Sequence, residues 1–176
     1  MSGLRKGLRN GLLLGTIQIL IVLSLGGKLL YDRATRPRVW VLCQVYDPDL
    51  PIRGRYLTQR LQMTAEGFTY KETQNHYNDW YENRNWAYLE VRDGQLIAKQ
   101  VGSGPGEWVI IRKTADGIVA TSEEPALLFI PDTADIPALK KGEEMWVEVT
   151  VPAKGPPRPI RIGIKKDGVI TPLKLN

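Results

Sequence analysis

Cysteine and histidine are nearly absent from this sequence, which has one of each, Cys43 and His76. A single cysteine excludes a disulfide within the chain and leaves no set of thiolates for a zinc site. No base lies close enough in sequence to activate the Cys43 thiol, so we expect Cys43 to be a small residue of the hydrophobic core. The single histidine could take part in a metal site only as one member of a carboxylate–histidine face around residue 76.

Sequence motifs for catalysis are also lacking. There is no Walker loop, no H-E-x-x-H, no G-x-S-x-G and no Cys-x-x-Cys. The glycine-rich stretch 103–106 lies between predicted strands, whereas a phosphate site normally precedes a helix. The acidic pairs Glu123-Glu124 and Glu143-Glu144 consist of neighbours that point to opposite faces of a strand, so neither predicts an acid–base couple. We therefore predict no catalytic residues, no metal and no cofactor.

Positive charge is concentrated at the N-terminus. Residues 1–38 contain seven Lys/Arg and one acid, a net +6, and residues 39–176 contain 17 Lys/Arg and 18 Asp/Glu, a net −1. A nucleic-acid-binding domain carries its own basic face. The nearly neutral body excludes that class, and the position of the excess suits lipid headgroups.

An apolar segment follows a basic leader at residues 1–9. No charged residue occurs from Asn10 to Gly27, which as a helix is about 27 Å long, close to the ~30 Å hydrocarbon core of a bilayer. The pattern predicts a single transmembrane anchor over 10–31, in contact with the lipid bilayer, and a linker over 32–38. Ser24-Leu25-Gly26 leaves open a cleaved signal peptide. The leader's Lys and Arg favour a cytoplasmic N-terminus and a body outside the cytoplasm.

Residues 39–176 have the pattern of an all-β domain. Short runs rich in β-branched and aromatic residues alternate with turn residues. Asp93-Gly94, Asp116-Gly117 and Asp167-Gly168 each separate two such runs, as in hairpins with type I′ turns. The count is about nine or ten short strands, which predicts a compact β-barrel or β-sandwich.

A polar and aromatic insert interrupts the strands at 64–86. The spacings would put four polar residues on one helix face, namely Glu72, His76, Asp79 and Glu82. The simpler interpretation is that these side chains are solvated and bind no metal. Tyrosine and tryptophan beside asparagine and arginine resemble the composition of interfaces. The predicted interaction surface consists of five residues: His76, Tyr77, Trp80, Tyr81 and Trp86.

The stretch from Asp47 to Met63, DPDLPIRGRYLTQRLQM, joins two predicted strands through a turn. It resembles the signature of the GDYXXLXY family, D-P-x-D-P-x-x-R-G-D-Y followed by L-x-Y. The matching residues are Asp47, Pro48, Arg53, Gly54 and Tyr56. Arg55, Gln59 and Leu61 depart from the pattern, where the family has Asp, Leu and Tyr. The resemblance implies a membrane-anchored domain outside the cytoplasm, with these residues holding a structural turn.

These observations favour a non-enzymatic accessory module that binds a membrane protein. The expected location is the cell (inner) membrane, with the C-terminal domain in the periplasm and no nucleic-acid partner. Two alternatives stay open. A membrane-tethered hydrolase would use carboxylates that the fold brings together, and a small-ligand-binding barrel would contain an apolar cavity.

Overall fold

The computed structural model of the chain describes residues 2–46, 56–73, 76–131, 133–153 and 155–175. The chain divides into two compact units, Met1–Arg36 and Pro37–Asn176. The first unit is the helix α1, Ser2–Thr35. The second unit contains every strand and a short second helix.

Helix α1 is long and apolar enough between Asn10 and Thr35 to cross a membrane. Its leucine, isoleucine and valine side chains are exposed along this whole span, and none of the span is buried in protein. Such a helix lacks the single apolar stripe that would pack on a protein core. The helix includes the predicted anchor over 10–31 and continues through most of the predicted linker.

Ten strands and one short helix form the second unit. Their bounds are β1 Arg38–Tyr46, β2 Tyr56–Glu66, α2 His76–Glu82, β3 Arg84–Arg92, β4 Gln95–Gln100, β5 Glu107–Thr114, β6 Gly117–Ser122, β7 Ala126–Phe129, β8 Glu143–Thr150, β9 Arg158–Lys166 and β10 Val169–Pro172.

Five of these strands close into a barrel, in the order β2-β4-β3-β5-β6 and back to β2. The closure depends on the second half of β2. Its Gln62–Thr64 pair with β6, and its Thr64–Glu66 pair with β4 in the only parallel ladder among the described strands. The remaining ladders of the ring are antiparallel.

The first half of β2 belongs to a second group of strands, which we call the wing. Strand β1 pairs with β2 and with β8. Strand β8 pairs in turn with β9, and β9 pairs with β10. Strand β7 pairs with Tyr56–Gln59 on the other edge of β2. The chain is thus an all-β domain with a closed barrel after an N-terminal apolar helix, as the sequence predicts.

Two of the three Asp-Gly hairpins have the predicted turn. Asp93 and Gly94 have φ of 50° and 73°, and Asp167 and Gly168 have 50° and 83°. Positive φ at both central positions defines the type I′ turn. In the middle hairpin Thr114 pairs with Gly117. The turn there is Ala115-Asp116, and the glycine is the first residue of β6.

The predicted insert at 64–86 is shorter in the structure, because strands occupy both of its ends. Strand β2 extends to Glu66, and β3 begins at Arg84. Between them, Gly67 turns the chain with φ of 81°, and α2 covers only His76–Glu82.

The inward face of β2 carries Leu57, Gln59, Leu61 and Met63, each at most 2% exposed. Period-two burial of this kind is what the alternating sequence predicts. Cys43 lies on β1 opposite Leu61, and burial raises the pKa of its thiol to about 12. A thiol held protonated in this way is a core residue.

Candidate functional site

The turn motif lies largely outside the described residues, since these exclude Asp47, Pro48, Arg53 and Gly54. Tyr56 is the first residue of β2 and is half-buried. It pairs in register with Phe129 of β7, and their ring centres are 6.2 Å apart with a tilt of 59°. Tyr56 therefore contacts β7 at the junction where that strand joins β2.

Three of the five residues of the predicted interaction surface come close together. Trp80 and Tyr81 of α2 have ring centres 4.7 Å apart in an edge-to-face arrangement. Trp86 of β3 makes a similar contact at 5.1 Å with Trp108 of β5, its cross-strand partner. The side chains of His76 and Tyr77 are not among those described.

Arg84 connects these two pairs of rings. Its guanidinium carbon lies 3.8 Å from the centre of the Trp108 ring and 5.9 Å from that of Trp80. Its Nε donates a hydrogen bond of 2.7 Å to the carboxylate of Glu123. Even under the guanidinium, Trp108 is 40% exposed. We call Trp80, Tyr81, Arg84, Trp86 and Trp108 the arginine–tryptophan surface.

Asn83 fixes α2, and with it Trp80 and Tyr81, onto the barrel. Its side chain is fully buried. The amide nitrogen donates to the Lys71 carbonyl (3.0 Å) and to the Asp79 carboxylate (2.8 Å), and the amide oxygen accepts from the Lys71 amide (2.9 Å). The Asn83 carbonyl accepts from the amide of Ile111 in β5 (2.9 Å). All these groups are satisfied, which makes a buried network rigid.

Gly106 allows Trp86 to lie against the loop before β5. A Cβ at this position would be 2.6 Å from the Ala87 carbonyl oxygen and 2.8 Å from Trp86 Nε1. The indole nitrogen donates to the carbonyl of Gly104 (3.2 Å). The glycine-rich stretch 103–106 is therefore a loop, and it supports one edge of the arginine–tryptophan surface.

A cleft of about 20 Å³ opens beside Trp108, with room for about one water molecule. Apolar side chains from the barrel and from the β8–β9 loop line it, and two carboxylates, Glu107 and Glu124, lie among them. A second cleft adjoins the first and shares Glu107 and Leu89 with it. We call the two clefts together the acidic groove.

The carboxylates of the groove are close enough to affect one another. Desolvation raises the pKa of Glu107, and the charge of Glu124 raises it further. The sequence leaves open a pair of carboxylates brought together by the fold, but it does not identify this pair, whose members are 17 positions apart (124 − 107). Sequence reasoning also missed Arg84, Trp108 and Glu123, because no periodicity reveals which residues of separate strands become neighbours.

The acidic residues around α2 do not form the helical face that their spacing predicts. Glu72 precedes α2 and pairs with Lys113 at 3.1 Å, and Glu82 pairs with Lys71 at 3.4 Å. Asp79 accepts hydrogen bonds from Tyr70 and Asn83. Among the side chains that the structure describes, no group of three or more His, Cys, Asp or Glu could hold a metal ion.

Fold and surface together define an all-β domain with an N-terminal apolar helix and an exposed arginine–tryptophan surface beside an acidic groove. Comparison with known proteins adds no relative. No protein-family model, no curated protein and no solved structure matches the chain.

Proposed function

We propose that this protein is a membrane-anchored accessory module of the GDYXXLXY type, which binds a membrane-protein partner through the arginine–tryptophan surface. The observation that carries the proposal is the position of Arg84 between Trp108 and Trp80, with its guanidinium held by Glu123. Tryptophan, tyrosine and arginine are the residues most enriched among those that dominate binding energy at interfaces.

The surface is organised before any partner arrives. Glu123 fixes Arg84, Gly104 accepts a hydrogen bond from Trp86, and Asn83 holds α2 in place. Side chains already fixed in one rotamer lose little conformational entropy on binding, which strengthens association. A core filled by side chains such as Leu57, Leu61 and Ile111 agrees with this role.

The proposed location is the cell (inner) membrane, with the β domain in the periplasm. Helix α1 is apolar enough to span a bilayer, and Arg5, Lys6 and Arg9 lie together before the span. The excess of positive charge on a short leader favours its retention in the cytoplasm. Protease added to intact spheroplasts should remove a tag at Asn176, whereas protection of the tag would reverse the topology.

Co-purification from mildly solubilised membranes tests the function, using the full chain tagged at Asn176. We expect one stoichiometric membrane protein with the unchanged chain and its loss with Trp108→Ala. Trp146→Ala is the matched control, because Trp146 also lies beneath a cation, Lys165 at 4.2 Å, but on β8 in the wing. Equal loss with both variants, or retention with both, would overturn the proposal.

A hydrolase is the second candidate, favoured by one observation. Glu107 and Glu124 share a cleft, and the pKa of Glu107 is raised, as in a general acid beside a carboxylate. The first cleft has room for about one water molecule, too little for a sugar or peptide substrate. Hydrolysis of a panel of glycoside and ester substrates, lost in Glu107→Gln, would favour this candidate over the interaction module.

A further inference from the structure

The outward face of the wing carries a tryptophan and an arginine in one row near the start of β1. Trp40 lies between the core residues Val39 and Val41, so its side chain is on the opposite face of the strand. Trp40 pairs in register with Glu148 of β8, and Glu148 pairs with Arg161 of β9. Since residues opposite one another share a face of the sheet, these three side chains are neighbours.

Contacts within this row hold its side chains in place. Arg161 Nε donates a hydrogen bond of 2.7 Å to Glu148, and the guanidinium carbon of Arg161 lies 5.5 Å from the centre of the Trp40 ring. Gly163 leaves room for this ring, because a Cβ there would lie 3.1 Å from it. The Glu148 side chain is 11% exposed and that of Arg161 is 51% exposed. The carboxylate is therefore covered, and the tryptophan and the arginine form the outer layer.

The next row, at the first residue of β1, adds two more arginines. Arg38 pairs with Thr150 of β8, and Thr150 pairs with Arg158 of β9. Both arginines are exposed. We call the residues that form the outer layer of the two rows the basic edge, namely Arg38, Trp40, Arg158 and Arg161.

Positive charge is concentrated on the basic edge. Its three arginines and the covered Glu148 give a net charge of +2 (3 − 1). Residues 38–176 as a whole contain 18 Lys/Arg and 18 Asp/Glu, a net charge of zero. Arg36, two positions before the edge, adds one more positive charge. The edge is therefore complementary to an anionic surface.

The membrane span lies next to the basic edge in the chain. The span Asn10–Thr35 has 26 residues, about 39 Å as a helix, close to the ~40–45 Å of a bilayer with its headgroups. Only Arg36 and Pro37 separate α1 from β1. Trp40 follows Thr35 by five positions (40 − 35), and five residues of extended chain cover at most about 18 Å. The chain therefore keeps Trp40 within reach of the headgroup layer.

Tryptophan and arginine suit this layer chemically. Tryptophan is enriched at membrane–water interfaces, because its ring has an apolar body and a polar N–H group. Arginine binds phosphate through two parallel hydrogen bonds, and basic residues beside a membrane span are attracted to anionic lipids. A protein surface could match the same composition, but the bilayer is the surface to which the covalent chain ties this edge.

We propose that the basic edge lies on the membrane surface, with Trp40 among the lipid headgroups and the three arginines bound to phosphates of anionic lipids. This inference rests on the membrane anchoring within the proposed function and not on the protein partner. The wing then contacts lipid, and the arginine–tryptophan surface of the barrel is left for the partner.

Quenching of tryptophan fluorescence tests the proposal on the full chain in nanodiscs. The discs contain phosphatidylcholine and phosphatidylglycerol, and a nitroxide on some of the phosphatidylcholine headgroups quenches tryptophan at short range. Helix α1 has no tryptophan, since the five of the chain are Trp40, Trp80, Trp86, Trp108 and Trp146. We expect quenching in the unchanged chain and the loss of most of it in Trp40→Phe. Trp108→Phe is the matched control and should keep the quenching.

A charge variant tests the role of the arginines. Arg38→Gln with Arg158→Gln removes two positive charges and leaves Arg161 in place beside Trp40. Quenching in discs with phosphatidylglycerol should then fall to the level that discs of phosphatidylcholine alone give. The control is Arg112→Gln with Lys113→Gln, which makes the same change in net charge at exposed positions of β5. Quenching in this control should equal that of the unchanged chain.

Three outcomes would overturn the lipid proposal. These are quenching that Trp40→Phe leaves unchanged, an equal loss in Trp108→Phe, and equal quenching with and without phosphatidylglycerol. If Trp40→Phe keeps the quenching but removes the co-purified membrane protein, the basic edge binds protein and not lipid.

The lipid proposal and the proposed function fail separately. Loss of the partner with Trp108→Ala is measured by co-purification, so the proposed function would stand in each of these three cases. Quenching as expected without any co-purified partner would support the basic edge and overturn the accessory role. A chain that does not stay with the discs has no anchor, which would overturn both.

Discussion

The guanidinium carbon of Arg84 lies 3.8 Å from the centre of the Trp108 ring, while Arg84 Nε donates to Glu123 at 2.7 Å. The backbones of Glu123 and Trp108 are also in contact, because the Glu123 amide donates a hydrogen bond of 3.0 Å to the Trp108 carbonyl. These residues come from β3, from β5 and from the turn after β6. The exposed surface is thus fixed by contacts among three neighbouring strands.

Replacement of Arg84 by lysine distinguishes the effect of the positive charge from that of the planar guanidinium group. Arg84→Lys keeps the positive charge but loses the planar group that covers Trp108, so we expect the free energy of unfolding to fall by about 0.5–1 kcal/mol. Co-purification of the membrane partner should fall by a larger factor than this small loss of stability would explain. Urea denaturation followed by tryptophan fluorescence measures the first effect, and Arg112→Lys, an exposed position on β5, is the control. Full partner recovery with Arg84→Lys would show that charge alone suffices.

Removal of the Asn83 side chain should loosen α2. Asn83→Ala removes the hydrogen bonds that this fully buried side chain makes with the Lys71 amide and carbonyl and with the Asp79 carboxylate, so we expect a loss of about 2–4 kcal/mol in the free energy of unfolding. Asn85→Ala, which removes one hydrogen bond to the Asn83 carbonyl, should lose about 1 kcal/mol. Equal losses in denaturant titrations of the two variants would contradict the central position of Asn83.

Gln59 should be replaceable with a gain in stability. Its side chain is fully buried, and neither amide atom has a hydrogen-bond partner among the residues that the structure describes. Leaving a buried polar group unpaired destabilises a fold by about 1–3 kcal/mol. Gln59→Leu, with a similar volume, should therefore raise the melting temperature, whereas Gln62→Leu on the opposite face of β2 should not. A lower melting temperature for Gln59→Leu would mean that the amide makes a stabilising contact.

Gly106 should not tolerate even alanine. The added Cβ would meet the Ala87 carbonyl oxygen and the Trp86 ring, so we expect a loss of about 1–3 kcal/mol and a changed tryptophan emission spectrum. Gly102 lies in the same loop, and a Cβ there would meet nothing within 4 Å. Thermal melts of Gly102→Ala should match the unchanged chain, and a match for Gly106→Ala as well would contradict the close approach.

Glu107 should make stability depend on pH in a defined direction. Its pKa is raised in the folded state by desolvation and then by Glu124, so the folded state binds the proton more tightly than the unfolded state does. The ionised form destabilises the fold. That effect is absent below the unfolded pKa of about 4.3 and complete above the raised folded value.

Glu107→Gln should therefore raise the melting temperature at pH 7 and leave it unchanged near pH 3. Glu72→Gln serves as the control, because Glu72 is an exposed partner of Lys113. Thermal melts at the two pH values measure the difference. An equal rise at both would assign the gain to packing and not to ionisation.

The sequence predicts the parts of the fold that local patterns determine. The apolar run of α1 and the Asp-Gly turns at 93–94 and 167–168 follow from neighbouring residues. Alternation in β2 predicts its buried face, on which polar Gln59 lies together with Leu57, Leu61 and Met63.

The remainder depends on pairing between distant strands. Closure of the barrel needs the parallel pair of β2 and β4, which no periodicity indicates. The contact of Arg84 with Glu123 spans 39 positions. Trp80, Tyr81 and Trp86 stand out by composition, but Trp108 joins them only through the register of β3 with β5. Sites built across strands in this way become visible only once the strand order is known.

Strand β2 has one further consequence, for how the domain loses its structure. Its first half holds β1 and β7, and its second half closes the ring with β4 and β6. The barrel and the wing therefore share one strand. Unfolding of either group would remove β2 from its pairing and so disrupt the other group as well. Two regions coupled through a common element melt together, so the β domain should unfold in a single cooperative transition.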